Sequence, residues 1–272
     1  MKTRIENISG CGRTIDIEVS GEELEQEFDR VYADIRKSAR IPGFRPGRAP
    51  RDLLEVKFAK SAEEEVVKRA IPEYYLKALG EEKLAPVSPP GIDNVRFKNH
   101  TLHFRAKIDL RPEVRVRAYR NLRINKKKVK IEQAVDKNLQ ANAEAEVRAD
   151  MERQVLDQLL KKASLDVPES LLNSQTQELI NHQMKEAEAK KEAERRVKLS
   201  FILEKIAQQE NIQANEEDLE KRIEAISQSS AKSKEEVRQY LDRYNLLPQL
   251  SAELRDKKTM EFLLREAKIK EE

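Results

Sequence analysis

A basic segment near the N-terminus carries the residue types best suited to binding an anionic partner. Residues 40–51 read Arg-Ile-Pro-Gly-Phe-Arg-Pro-Gly-Arg-Ala-Pro-Arg. Its prolines restrict the backbone and its glycines permit tight turns, so the segment can present Phe44 and Arg45 on a stiff tip. Arginine makes bidentate hydrogen bonds with phosphates and carboxylates, so this tip can meet RNA and an acidic side chain. A solvated turn between two helices is the alternative interpretation, because basic loops are common.

Further cations extend the basic character of the tip to both sides. Residues 35–51 contain six Lys or Arg residues and no acid. We predict that the flanking cations contact RNA, because a local cluster can attract phosphates even when the whole chain is nearly neutral. These candidate RNA contacts are Arg36, Lys37, Arg40 and Arg51.

The remaining chemistry-bearing residues give no comparable signal. His100 and His103 lie three positions apart on a predicted strand and would point to opposite faces, so we predict no metal site. Cys11 is the single cysteine, which excludes an internal disulfide and indicates a reducing compartment. The chain lacks the GxxxxGK[ST] nucleotide loop and any nucleophile signature, so we predict no catalytic residue and no cofactor.

The composition favours long solvated helices over an aromatic-rich enzyme core. Charged residues make up 38% of the 272 residues and aromatic residues 5%, and tryptophan is absent. The formal net charge is only +3, so attraction to nucleic acid must come from local clusters. Neither an apolar N-terminal run nor a stretch of ~18 apolar residues occurs, so we predict a cytoplasmic protein that does not bind membranes.

Glycine and proline divide the chain into two parts. All seven glycines and seven of the ten prolines lie at or before Gly91, so a turn-rich domain precedes an almost purely helical one. Residues 14–19 and 102–110 alternate polar and apolar side chains, which predicts strands, and residues 98–101 can form a hairpin turn. Two helices with capping-box starts, at Ser20 and Ser61, lie between the strands. The order predicts an α+β domain with an antiparallel sheet and two helices.

The rest of the chain reads as a connector followed by helices. Residues 111–130 hold nine Lys or Arg residues and one acid, which predicts a basic linker that is either solvated or in contact with RNA. From residue 131 onward the apolar residues follow a helical period. Residues 169–209, the predicted arm, fit either a short hairpin or one continuous helix. We therefore place the domains at 1–112, 113–131 for the linker, and 132–272 for an extended all-α domain with arm-like helices.

The tip sequence resembles a known signature. Residues 43–50 are similar to the ribosome-binding motif Gly-Phe-Arg-x-Gly-x-x-Pro of the trigger factor family. The resemblance follows the family's element order over residues 1–120 and resumes at residues 155–160, 167–171 and 195–199. It implies an N-terminal domain that docks beside the tunnel exit of the large ribosomal subunit, with Arg45 pairing to an acidic residue of a rim protein. The ribosome-binding residues implied in this way are Gly43, Phe44, Arg45, Pro46, Gly47, Arg48 and Pro50.

The same resemblance implies an ATP-independent chaperone that binds nascent or unfolded polypeptides in a helical cradle and delays their misfolding. Dispersed apolar side chains would hold a client weakly and release it without nucleotide. Core packing is the competing interpretation, because periodic apolar residues usually face a core. The client-binding candidates are Met184, Phe201, Tyr240, Tyr244, Phe262 and Leu263.

One feature of the family is not expected in this chain. Trigger factors usually insert an FKBP-like prolyl isomerase domain, which is a glycine-bearing sheet around an aromatic pocket. Residues 125–195 contain no Gly, Phe, Tyr or Trp, so we predict that the isomerase domain is absent and that the chain is not an enzyme.

Two rival functions and the oligomeric state stay open at this level. An RNA-binding or ribosome-assembly factor that holds no client would also explain the two basic clusters. A reduced prolyl isomerase is a second rival, and the glycine-free helical half counts against it. The family often dimerises away from the ribosome, so a homodimer is also consistent with the resemblance.

Overall fold

The computed structural model describes residues 1–45, 47–127 and 137–271, the side chains of residues 137–141 excepted. These residues form two compact units. Unit 1 comprises Met1–Pro112 with Pro168–Leu171, and unit 2 comprises Glu113–Val167 with Leu172–Glu272. An antiparallel sheet with two helices in unit 1 and a mostly helical unit 2 confirm the predicted fold class.

Unit 1 is built on a four-stranded antiparallel sheet. Two of its strands, which contain Ile15, Ile17, Leu102 and Phe104 as buried residues, were predicted from their period-two pattern. The first strand was not predicted, because Ile5 is the only apolar residue in it. In the spatial order β1-β2-β4-β3, the strands are β1 (Lys2–Asn7), β2 (Gly12–Val19), β4 (Thr101–Asp109) and β3 (Gly91–Lys98).

A β-bulge in β3 decides which of its residues face solvent. The pairing of β3 with β4 shifts register between Asp93 and Arg96. Asn94 has a φ of 53° there, a left-handed conformation that asparagine tolerates. In a regular strand, Ile92 and Phe97 would face opposite sides of the sheet, because they are five positions apart. The extra residue of the bulge allows both to pack against the core. Arg96 therefore lies on the outer face of the sheet.

Two helices cover the inner face of the sheet. Helix α1 (Gly21–Ser38) begins at Ser20 as predicted, and the backbone N–H of Ser20 donates to Glu23 at 3.2 Å. Helix α2 (Arg51–Glu81) has an irregular backbone at Phe58. The predicted start of this helix at Ser61 is wrong. Leu54 is fully buried in the core, and its packing extends the helix upstream of the apparent capping box.

Unit 2 consists mainly of helices. The helix predicted from residue 131 corresponds to α3, and residues 128–136 lie outside the described residues. In the part of the chain that the structure describes, no helix is long and apolar enough to cross a membrane. The elements after unit 1 are β5 (Arg115–Val116), β6 (Arg123–Lys126), α3 (Lys137–Lys162), β7 (Ala163–Ser164), α4 (Glu169–Asn181), α5 (Glu186–Gln209), α6 (Glu216–Ser230), α7 (Lys234–Arg243), α8 (Leu247–Arg265) and β8 (Lys268–Glu271).

The segment predicted as a basic linker is part of unit 2 over its described residues. Strand β5 pairs antiparallel with β7, and β6 pairs in parallel with β8. Leu122 and Ile124 are each 1% exposed and belong to the largest apolar cluster of the unit. The solvated-connector interpretation is therefore wrong for this stretch, because its two buried residues alternate with polar ones as in a strand. Residues 128–131 of the predicted linker lie outside the described residues.

Side-chain amides of α3 complete the hydrogen bonding of β6. Gln154 Oε1 accepts from the backbone N–H of Asn125 at 2.8 Å, and Gln154 Nε2 donates to the Asn125 carbonyl at 2.8 Å. Gln158 Nε2 donates to the Arg123 carbonyl at 2.7 Å. The edge of β6 that faces away from β8 is thus occupied by two glutamines in place of a further strand.

The predicted arm forms two helices. Residues 182–185 separate α4 from α5, and Gln183 has a φ of 67°. The N–H groups of Gln183 and Met184 donate to carbonyls of the last turn of α4 at 2.9 and 3.1 Å, as in a Schellman motif. Leu179 of α4 packs with Ala189 of α5 in a small apolar cluster. The short-hairpin alternative is therefore the correct one.

Other helices of unit 2 also end on left-handed residues that are not glycine. Asn211, Ala231 and Asn245 have φ values of 55°, 53° and 51°. Each is followed by a backbone hydrogen bond that spans the helix end, with lengths of 2.8, 3.3 and 2.8 Å. Residues 92–272 contain no glycine, so residues with a Cβ atom adopt a conformation that glycine adopts more readily.

Candidate functional site

The candidate site is the loop between α1 and α2, residues 39–50, which we call the tip loop. Two of its residues are anchored in the core of unit 1, since Ile41 is 6% exposed and Ala49 is 7% exposed. Between these anchors the described residues are exposed. The loop is therefore fixed at both ends and free in the middle.

Two backbone turns give the tip loop its shape. The Phe44 N–H donates to the Ile41 carbonyl at 3.1 Å, and the Arg48 N–H donates to the Arg45 carbonyl at 3.0 Å. Gly43 and Gly47, each in the third position of its turn, have φ values of 85° and 84°. A positive φ at this position is the mark of a type II turn and favours glycine.

Backbone conformation accounts for both glycines of the loop. A Cβ atom at Gly43 or Gly47 would meet nothing within 4 Å, so neither position lacks space. The Gly47 N–H donates to the Arg36 carbonyl at 3.0 Å, which ties the second turn to the end of α1. Pro46 lies outside the described residues.

The side chains predicted to bind the ribosome lie at the free part of the loop. Phe44 is 43% exposed, which is unusual for a phenylalanine, and Arg45, Arg48 and Pro50 are exposed. Within the described part of the chain, Arg40, Arg45 and Arg48 form no ion pair. Their guanidinium groups can therefore bind an external carboxylate or phosphate without breaking an internal contact.

The flanking cations predicted to bind RNA differ in their availability. Lys37 is exposed and pairs with Asp34 at 3.1 Å, and Arg40 is exposed. Arg36 is only partly exposed, and its Nε atom is buried without a hydrogen-bond partner in the described structure. The predicted cluster is thus brought together around the tip loop, but with unequal exposure.

Arg51 has a structural role. Its guanidinium pairs with Asp29 and with Glu55, the latter at 2.6 Å, and lies 5.2 Å from the ring centroid of Tyr32. The hydrogen bonds that Arg51 donates to both carboxylates raise the pKa of its guanidinium. Binding RNA would require breaking these contacts, so the prediction of Arg51 as an RNA contact is not supported by its surroundings.

The candidate client-binding residues differ in how far they are exposed. Phe201 and Leu263, at 8% and 1% exposure, belong to the core, so they are corrected to packing residues. Met184 is partly exposed and packs in the cluster between α4 and α5. Tyr240 of α7 and Tyr244, which follows the helix, are 53% and 58% exposed, with ring centroids 4.7 Å apart.

Phe262, the sixth candidate, is enclosed by charged side chains. Arg120 and Arg265 lie 5.8 and 5.7 Å from its ring centroid. Arg120 also forms a salt bridge with Glu210 at 2.6 Å, and the Tyr119 hydroxyl donates to Glu210 at 2.5 Å. The hydrogen bonds from Arg120 and Tyr119 lower the pKa of Glu210. This arrangement, the Glu210 cluster, holds the segment before β6 against α5 and α8.

The structure offers no candidate metal centre among the residues it describes. Within them, no group of three or more His, Cys, Asp or Glu side chains is placed to hold an ion. His100 has a φ of 56° and forms the β3–β4 turn with Asn99, whereas His103 lies on β4 opposite Arg96. Cys11 is buried in unit 1.

Taken together, the fold and the site define a protein that presents an exposed cationic loop on an α+β unit followed along the chain by a mostly helical unit. A family model described as bacterial trigger factor protein matches residues 1–142, and one for its C-terminus matches residues 130–265. The first match alone covers more than half of the chain. The chain belongs to the bacterial trigger factor family.

Curated relatives match only over part of their length. The trigger factor of Mycolicibacterium smegmatis is 37% identical over 144 residues, which are 52% of this chain and 31% of that protein. That of Geobacter sulfurreducens is 36% identical over 142 residues, which are 52% of this chain and 33% of that protein. The matches thus span about a third of the relatives' length.

A solved structure resembles the fold of almost the whole chain. It is described as "Promiscuous Substrate Recognition in Folding and Assembly Activities of the Trigger Factor Chaperone". The match covers 98% of this chain and 100% of the solved one, with a TM-score of 0.66 and 15% sequence identity. At this identity the likeness concerns the fold.

Sequence reasoning missed the residues that hold the tip loop in place. Ile41 and Ala49 were read as part of a basic segment, and nothing was predicted about their burial. Their apolar character amid arginines was the available signal, since an isolated isoleucine in a cationic loop usually needs a buried place.

Proposed function

We propose that this chain is an ATP-independent, ribosome-associated chaperone that binds nascent or unfolded polypeptides near the tunnel exit and delays their misfolding. The observation that carries the proposal is the tip loop, which presents Phe44 and Arg45 to solvent on a backbone fixed by two turns. The membership of the chain in the trigger factor family supports the same function. The large ribosomal subunit, through its protein and RNA, is the proposed docking partner.

The docking contact follows from the chemistry of the tip. Arg45 can form a bidentate pair with a carboxylate of a rim protein, and Phe44 can bury its ring at the same contact. Arg40 and Arg48 can contact RNA phosphates, which releases counterions and makes binding weaker at higher salt. Gly43, Gly47 and Pro50 shape the loop, and Pro46 belongs to the same proposed contact by resemblance.

Client holding is assigned to unit 2. Tyr240 and Tyr244 present apolar rings at the surface, and partial burial of one ring, about 100 Å² of apolar area, contributes about 2.5 kcal/mol before opposing entropy. Contacts of this size are reversible without nucleotide. Met184 and Phe262 are weaker candidates, because the Met184 side chain already packs in the cluster between α4 and α5 and the Phe262 ring already contacts Arg120.

Two double variants test docking and holding separately. We expect Phe44→Ala/Arg45→Ala to abolish cosedimentation with purified 70S ribosomes and to keep suppression of aggregation of a refolding client. The matched variant Tyr240→Ala/Tyr244→Ala should keep cosedimentation and weaken suppression. The proposal fails if the tip variant sediments like the unmodified protein.

The second assay also decides between the proposal and its main alternative. A ribosome- or RNA-binding assembly factor without client holding would dock through the same tip loop. In that case the unmodified protein would sediment with ribosomes but would not suppress aggregation at any ratio to the client. Holding by the unmodified protein rejects the assembly-factor function.

We further propose that the chain is not a prolyl isomerase. The two family models overlap over residues 130–142, and the single helix Lys137–Lys162 begins within that overlap, which leaves no room there for an inserted domain. Uncatalysed isomerisation takes tens of seconds, so a proline-limited refolding reaction measures any catalysis directly. An unchanged refolding rate at equimolar chaperone is expected. A cytoplasmic location and a homodimer away from the ribosome are the accompanying proposals, the latter testable by sedimentation velocity.

A further inference from the structure

The outer face of the unit 1 sheet carries a regular array of charges. Its exposed side chains follow the strand pairing, so residues opposite one another on neighbouring strands form rows across the face. Asp109 also points this way but is buried and accepts a hydrogen bond from the Ser170 N–H at 2.7 Å. The exposed or partly exposed cations are Lys2, Arg4, Arg96, Lys98, Arg105 and Lys107, and the exposed or partly exposed carboxylates are Glu6, Asp16, Glu18 and Asp93.

Every one of these four carboxylates is already bound by a cation of the same face. One of these pairs is bidentate, with distances of 2.8 and 3.1 Å from the Arg105 guanidinium to Asp16. The other pairs are Arg4–Glu6 at 3.0 Å, Lys2–Glu18 at 3.4 Å and Lys107–Asp93 at 2.7 Å. Four pairs use four of the six cations.

The two remaining cations lie side by side. Arg96 and Lys98 occupy alternate positions on β3, so their side chains leave the same face of the strand about 7 Å apart. Neither forms an ion pair with a residue in the described parts of the chain. Arg96 is opposite His103 and Lys98 is opposite Thr101. The nearby carboxylates of Asp16 and Glu18 are already bound by Arg105 and Lys2. The bulge at Asn94 is what turns this pair outward.

These cations line a depression of about 1180 Å³ on the outer face. Asn94, Asn99 and Thr101 also line it and provide neutral hydrogen-bond donors beside the two charges. Two unpaired cations with amide and hydroxyl donors match the oxygens of phosphate groups. Ile17, Phe97 and Phe104 also contribute to the lining, but their side chains pack in the core of unit 1, so the groups available to a ligand are the polar and charged ones.

We propose that Arg96 and Lys98 form a binding site for the phosphodiester backbone of a single-stranded nucleic acid. Their spacing along β3 allows them to contact successive phosphates of one strand. The site reads no sequence, because phosphate contacts position a strand without identifying its bases.

This site is separate from the tip loop and does not depend on the proposed docking. The β3–β4 turn lies at the start of α1, where an added Cβ at Gly21 would come within 2.8 Å of the His100 carbonyl. The tip loop follows the other end of α1, a helix of 18 residues that is about 27 Å long. One strand of nucleic acid would have to be long to reach both.

The salt dependence of binding tests the proposal. Fluorescence anisotropy with a labelled 20-nucleotide RNA of mixed sequence is measured on the full chain between low and moderate salt. The variant Arg96→Gln/Lys98→Gln should weaken binding and reduce the slope of log K against log salt by about 1.4, at about 0.7 per phosphate contact for single strands. The matched control Lys60→Gln/Lys68→Gln removes two exposed cations of α2 and should leave the slope unchanged.

Further arms separate the site from a general attraction to anions. Arg96→Lys/Lys98→Arg keeps both charges and should retain the slope, and unchanged thermal unfolding of all variants excludes misfolding. The tip variant Phe44→Ala/Arg45→Ala should retain the contribution of Arg96 and Lys98. Absence of RNA binding at low salt, equal slope changes in the test and control variants, loss of the contribution in the tip variant, or equal competition by polyglutamate of the same charge would each overturn the proposal.

Discussion

The tip loop of unit 1 and the segment around the Glu210 cluster of unit 2 are both irregular and rich in cations, yet different interactions hold them. The tip loop is fixed by backbone hydrogen bonds and by two buried apolar anchors. In the Glu210 cluster the cations themselves do the holding, because Arg120 binds both a carboxylate and an aromatic ring. A loop therefore keeps its charges available for a partner only when its own shape does not depend on them.

Removing a buried anchor should give the largest effect on the tip loop. Ile41→Ala deletes a side chain that packs in the core of unit 1, and such deletions cost about 2–5 kcal/mol. We expect lower stability in urea unfolding together with weaker ribosome cosedimentation, although no charge has changed. Val56→Ala is the control, because Val56 is 83% exposed and its truncation should change stability by less than about 0.5 kcal/mol. Normal docking by Ile41→Ala would show that the anchors do not shape the loop.

The glycines of the tip loop should give the next largest effect. Gly43→Ala or Gly47→Ala places a Cβ on a left-handed residue, which costs about 1–2 kcal/mol in the fixed loop. Gly80→Ala is the matched control, since Gly80 lies in α2 without a close neighbour at its Cβ position and should gain about 0.5–1 kcal/mol. Thermal unfolding measures both. Equal responses at the three glycines would contradict the backbone account.

The helix ends of unit 2 should respond in the opposite direction. Ala231→Gly relieves a left-handed residue at the end of α6 and should stabilise the protein by about 1 kcal/mol. Ala225→Gly, an exposed position inside α6, should destabilise it by a similar amount. Urea unfolding should therefore show a higher free energy of unfolding for Ala231→Gly and a lower one for Ala225→Gly. A lower stability of Ala231→Gly would contradict the account of these helix ends.

The Glu210 cluster should show the smallest effect and a dependence on pH. Because the folded-state pKa of Glu210 is lowered, its contribution is fully present above the pKa of an unperturbed glutamate and is lost as pH falls through the folded-state pKa. Glu210→Gln should cost about 1 kcal/mol at pH 7 and flatten this part of the stability profile. Glu25→Gln, at an exposed position of α1, serves as the control and should change neither. If the free energy of unfolding of Glu210→Gln still falls at low pH as it does in the unmodified protein, other groups cause that loss of stability.

Much of the fold could be predicted because local patterns and packing agreed. Alternation identified β2 and β4, and a capping box identified the start of α1. The errors arose where two signals competed. The capping pattern at Ser61 gave way to the packing of Leu54, and the cations of the linker obscured the buried Leu122 and Ile124. The turn at Gln183 was not located because no glycine or proline marks it.

The candidate site was predictable to a different degree in each unit. In the tip loop, proline and glycine indicated the turns directly, so exposure of Phe44 and Arg45 could be predicted from local chemistry. In unit 2, helical periodicity could not separate the buried Leu263 from the exposed Tyr240, because both repeat with the same spacing as their helices. Arg96 and Lys98 emerged only from the pairing of strands, since their surplus charge depends on which neighbours are already neutralised.

Gln154 has a consequence for a protein proposed to handle unfolded chains. An extended polypeptide normally joins a sheet by hydrogen bonding to a free strand edge, which is also how aggregates grow. At Asn125 an amide side chain already takes both the donor and the acceptor that an incoming chain would use. A client segment that reached this edge would have to displace the glutamine. Unit 2 can therefore lie beside an unfolded polypeptide without adding it to β6 as a further strand at that point.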